Sequence, residues 1–100
     1  MDFQQQLKRL DEFLSAAIAG GPGTTSNLQL KKAAWILGKI LSKSPPLPVM
    51  EELDRTLGDR SKNLDFERYL QSSSALFLAI EVFRETLAGA RHTQENPEGM

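Results

Sequence analysis

From Phe66 to about Ala88 the sequence reads as one long helix that is apolar on two sides, and this stretch constrains the rest of the molecule most. Phe66, Tyr69, Leu70, Leu76, Phe77, Ile80, Phe83 and Leu87 recur at helical spacing as one broad face. Ala75, Leu78, Ala79 and Val82 form a second stripe on the other side. A helix apolar on both sides is buried on both sides. The rest of so short a chain can cover the broad face. The second stripe, lined by small residues that allow close approach, then points to another copy of the chain, unless the first helix wraps further round.

Three helices are expected ahead of it. Asp2 and Gln5 have the spacing of a capping box, and Phe3, Leu7, Leu10, Phe13, Leu14, Ala17 and Ile18 follow on one helical face, which predicts a helix over about 2–18. The run GGPGTTSN stops it, because Gly and Pro break helices, and Ser26 and Asn27 are placed to cap the next. A second helix is predicted over about 30–42, with Ala33, Ile36, Leu37, Ile40 and Leu41 inward. Trp35 falls about 200° from Ala33 on that helix. It either packs on a neighbouring loop or is presented to a partner. The linker SKSPPLP is stiff, since each proline fixes φ and removes a donor. A short third helix then places Val49, Met50, Leu53 and Leu57 on one side, and Asp65 is set to cap the fourth.

Composition narrows the chemistry. The 100 residues carry a net charge of -1 with both signs interspersed, and cysteine is absent. No basic stripe of the kind nucleic acids or anionic membranes demand is evident, and neither partner is expected. No disulfide framework, thiolate nucleophile or cysteine zinc site is possible. No apolar run approaches the roughly 20 residues of a membrane span, and the N-terminus lacks the regions of a secretory signal. A cytoplasmic location is therefore expected. The one histidine, His92, lies in the polar tail, and Ser72, Ser73 and Ser74 are consecutive with no base beside them. No acid, base and nucleophile converge, so an enzyme is not expected, and no cofactor is called for. Lys31, Lys32, Lys39 and Lys43 give the second helix a basic side, read either as a solvated face or as a surface for an acidic partner.

The stretch LGDRSKNLDFER, residues 57–68, has the outline of a calcium loop, with Asp59, Ser61, Asn63 and Asp65 at every second position. Together with the order of helices and the proline linker, it resembles the S-hundred family of small dimeric EF-hand proteins. The likeness is carried by PLPVMEELDRTLGDRSKNLDFERYL and, less strongly, by NLQLKKAAWILGKIL, and covers about 3–88. It implies an all-α fold of two EF-hand-like helix-loop-helix units in a four-helix domain, paired as a symmetric dimer. The domain would span 1–88, with an N-terminal unit of about 1–42, a linker of 43–48 and a C-terminal unit of 49–88. A disordered tail, 89–100, would follow. Leu64 and Leu28 would be the paired β-type residues of the two loops.

The departures from that pattern fix the expected function. Position 1 of the loop is Leu57, position 6 is Lys62 where glycine permits the turn, and position 12 is Arg68 where two carboxylate oxygens should grip the ion. Lys32 takes the place of the closing glutamate in the first loop. Both sites read as degenerate, and no metal is expected. Dimer contacts would come from Phe3, Leu7, Leu10, Ala75, Leu78, Ala79 and Val82. Within that family there is precedent for a member held open without calcium, clamping a helix of its partner. The expectation is thus a calcium-independent adaptor whose groove, lined by Pro46, Leu47, Val49, Met50, Leu53, Phe77, Phe83 and Leu87, takes a helical protein segment. The alternatives are a weak residual calcium sensor or a structural subunit of a larger assembly. Titration with calcium to several millimolar in a calorimeter is expected to give no saturable heat; a saturable signal would restore the sensor reading.

Overall fold

The computed structural model describes residues 2–21, 23–62 and 74–95. Among them the chain is all α, with four helices and no strand: α1 Phe3–Gly20, α2 Thr24–Ser42, α3 Leu47–Ser61 and α4 Ser74–Glu95. The capping read at the first helix is present on its aspartate side, where the Asp2 carboxylate accepts from the Gln5 N–H at 2.9 Å. Leu7, Leu10, Leu14 and Ala17 then turn inward together, as side chains spaced three and four apart must.

The turn from α1 to α2 is much tighter than the sequence suggested. Gly21 adopts φ 68°, a left-handed conformation open to glycine without strain, and its N–H reaches the Ile18 carbonyl at 3.3 Å. Helix α2 already begins at Thr24, well before the expected start near 30, which leaves only residues 21–23 between the two helices. Ser26 explains the difference. Its hydroxyl does not cap α2 but is buried, donating to the Ala17 carbonyl at 3.1 Å, with the Gly21 carbonyl also in reach. One proton shared between two carbonyls fastens the end of α1 to the start of α2. A Cβ built on Gly20 would stand 2.9 Å from that hydroxyl oxygen, so glycine is what admits the close approach.

Helix α3 also starts earlier than read, at Leu47. Pro48 lies in its first turn, where a missing N–H costs nothing, and the Val49 and Met50 N–H groups both reach the Pro46 carbonyl. Before it, Ser44 holds φ 48° as the chain leaves α2. At the other end α4 continues to Glu95, past the expected stop at Ala88, so residues 89–95 of the expected tail are helical. Ala90 packs on the core and Arg91 pairs with α3, giving the extra turns something to hold.

The helices sit as a ring, α1 against α2, α2 against α4, α4 against α3 and α3 against α1. Gln4 meets Glu52 at 3.1 Å and Asp11 meets Arg60 at 2.7 Å, so α1 and α3 advance in parallel. One core fills the centre, from Leu7, Leu10 and Leu14 through Leu30, Ile36, Leu37 and Ile40 to Leu53, Leu57, Leu76, Ile80, Phe83 and Leu87. Replacing Ser26 by alanine removes the buried hydroxyl that faces the Ala17 and Gly21 carbonyls. A loss of about 1–3 kcal/mol is expected in urea denaturation, and an unchanged midpoint would show that the inward hydroxyl holds nothing.

Candidate functional site

Of the positions that suggested a calcium loop, those among the described residues, 57–62, belong to a helix and its end. Leu57, Asp59 and the backbone of Ser61 belong to α3. Residues two apart on a helix diverge by about 200°. Accordingly Leu57 is sealed in the core while Asp59 is exposed, so the two do not face a common centre. Lys62 ends the helix as its C-cap. Asn63, Leu64, Asp65 and Arg68, with Phe66, Tyr69, Leu70, Ser72 and Ser73, lie outside the described residues. In the first half, a connection of residues 21–23 is far too short for the 12 residues of an EF loop. Lys32 stands mid-helix, its ammonium 5.8 Å from the centre of the Phe13 ring, and Leu28 is helical and half exposed rather than a β-type partner. Among the described residues no three His, Cys, Asp or Glu side chains gather as a metal site.

The expected groove is filled. Met50, Leu53, Phe77, Phe83 and Leu87 are all buried in the chain's own core, and Leu47 and Val49 pack against it; only Pro46 is exposed. The reason is the ring of helices, in which α4 packs on both α2 and α3 and the apolar faces meet inside. Leu7 and Leu10 are likewise buried at 5% and 0% and Phe3 packs beside them, so these side chains of α1 face the chain's own core.

The second stripe of α4 is different. Leu78 is 62% exposed and Val82 47%, Ala75 is exposed beside them, and Ala79 is half-buried against the core. Sequence reasoning found this stripe. On α2, Trp35, read as either packed on a loop or presented to a partner, is 58% exposed, and Leu28, read as a β-type partner, is 51% exposed. The Lys39 ammonium lies 4.4 Å from the centre of the Trp35 ring, a cation–π contact that holds the ring in place at the surface. The signal was in the sequence: α2 contains Lys31, Lys32 and Lys39 and no acidic residue, with a tryptophan among them.

Two arginines link the helices through ion pairs. The Arg60 guanidinium donates to both carboxylate oxygens of Asp11, and Arg91 does the same to Glu51 while also reaching Asp54 at 3.4 Å. The Asp11–Arg60 pair lines an open cleft of about 460 Å³ between α1 and α3, with Gln4, Lys8, Glu52 and Thr56. Leu7 and Asp59 complete the lining, so Lys8 and Arg60 share the cleft with three carboxylates, Asp11, Glu52 and Asp59. Inside, Gln6 is buried with its Oε1 lacking a partner among the described residues. No described helix is long and apolar enough to cross a membrane. No family model, curated protein or solved structure matches this chain.

The hydrogen bond from Arg91 lowers the Glu51 pKa by more than partial desolvation raises it. Because the folded value is the lower one, the pair stabilises fully above the ordinary glutamate value of about 4.3 and fades as pH falls through the folded value. Glu51→Gln is expected to melt below the parent protein at neutral pH and level with it in strong acid. A difference that persists in acid would assign the effect to packing.

Proposed function

We propose that this chain is a calcium-independent protein-docking domain without catalytic activity, and that its docking surface is the outer stripe of α4. The observation that carries the reading is the exposure of Leu78 and Val82, 62% and 47%, on a helix whose other side is sealed in the core. Large apolar side chains at adjacent turns of one helix, with Ala75 exposed beside them and Ala79 at the edge, make a contiguous patch of the kind that marks a protein contact. The small residues let a partner backbone come close. The proposed surface does not depend on opening the bundle, so no metal switch is required.

The stripe replaces the groove as the docking site in this reading. A groove between α3 and α4 would have to expel Phe83 and Leu53 from the core, at a cost of about 1.5–3 kcal/mol for each side chain. Occupying the stripe costs no such rearrangement. A cytoplasmic setting is part of the same proposal.

A photo-crosslinking amino acid in place of Leu78, in cells making the protein, tests this. A covalent protein adduct is expected at 78 and not at exposed Glu12 on α1, with the same mass whether calcium is chelated or in excess. No adduct at 78, or one that requires calcium, would overturn the proposal.

A further inference from the structure

Resting on the reading of α4 as the docking surface, we infer that its occupant is a second copy of this chain, and that the receiving surface is the lysine-rich outer face of α2. Each copy lays the stripe of its α4 on the α2 of the other. The two contacts form at once about a two-fold axis, because α2 and α4 are neighbours in the ring.

The argument is one of matched chemistry. On α2, Leu28, Lys31, Trp35 and Lys39 are all exposed and fall within an arc of about 80°. On α4, Leu78, Glu81, Val82 and Glu85 are all exposed and fall within about 100°. One surface presents apolar side chains flanked only by lysines, the other apolar side chains flanked by glutamates. Arg84 lies toward the α3 side of α4, about 120° from Leu78. None of Lys31, Lys39, Glu81 and Glu85 makes an ion pair among the described residues.

Pairing α4 with α4 would set glutamates against glutamates, and pairing α2 with α2 would set lysines against lysines. Only the crossed arrangement joins opposite charges at both contacts. It also covers the four exposed large apolar residues among the described ones, Leu28, Trp35, Leu78 and Val82, in one step. Gly38 on α2 and Ala75 on α4, both exposed, leave room for the backbones to approach. The Trp35 ring, already held by Lys39, offers a rigid anchor of the type that dominates such contacts.

The test is charge reversal, read by sedimentation equilibrium on the full chain. The unaltered protein is expected to dimerise, and both K31E/K39E and E81K/E85K to lose association by about tenfold or more, each still helical by circular dichroism. Mixed in equal amounts, the two variants are expected to regain it as a heterodimer, because each then meets the opposite charge at both contacts. An unaltered protein that stays monomeric at every attainable concentration would overturn the inference. So would a dimer that survives K31E/K39E, or variants that fail to rescue each other. In any of these cases an adduct of Leu78 with a different protein would leave the docking function of α4 standing with another partner.

Discussion

Leu10, Leu37, Leu53 and Phe83, one from each helix, are fully removed from water, and the arrangement of the bundle follows from satisfying all four at once. No helix of this size is stable alone. Each depends on the apolar face of its neighbours, and a chain of 100 residues has only one core in which to do so. That dependence explains why α3 and α4 close over each other rather than part. A cleft opened between them would hydrate the side chains that keep α1 and α2 in place. The surface ion pairs link the helices and set register, but exposed pairs of this kind add little to stability.

The same dependence decides what was readable beforehand. Among the described residues the inward positions follow from spacing, because burial repeats with the helical period: Leu7, Leu10 and Leu14 on α1, and Ile36, Leu37 and Ile40 on α2, are where periodicity puts them. The boundaries did not follow. Ser26 has the composition of a cap, yet its hydroxyl serves the carbonyls of α1, a use that only appears once two helices are folded together. Leu57 had two readings, the last apolar position of the third helix and the first residue of a calcium loop, because its neighbours alternate in oxygen-bearing side chains. Its burial keeps the chain helical there instead, and a short-range pattern of ligands yields to a tertiary apolar contact. The final turns of α4 are held by Arg91 reaching Glu51, a partner 40 residues away, which no local pattern could disclose.

The surface is sorted by charge in a way that the near-neutral total hides. Helix α2 bears lysines and no acid, while Glu81 and Glu85 stand on the outer side of α4. The net charge of -1 thus conceals two unlike faces carried on adjacent helices. Exposed apolar residues occur on these same two faces, so both the hydrophobic and the electrostatic asymmetry of the molecule lie on one flank.

The short turn between α1 and α2 bears on the order in which the molecule is made. Contacts between those helices span little of the sequence, and closing so small a loop takes about 10–100 ns, whereas α3 and α4 must be brought in over longer stretches of chain. During synthesis the paired first two helices emerge before their cover. Leu30, Leu37 and Ile40 would then face water or a chaperone until α4 arrives. A chain that stalls near the proline linker is accordingly the most aggregation-prone species this sequence can produce.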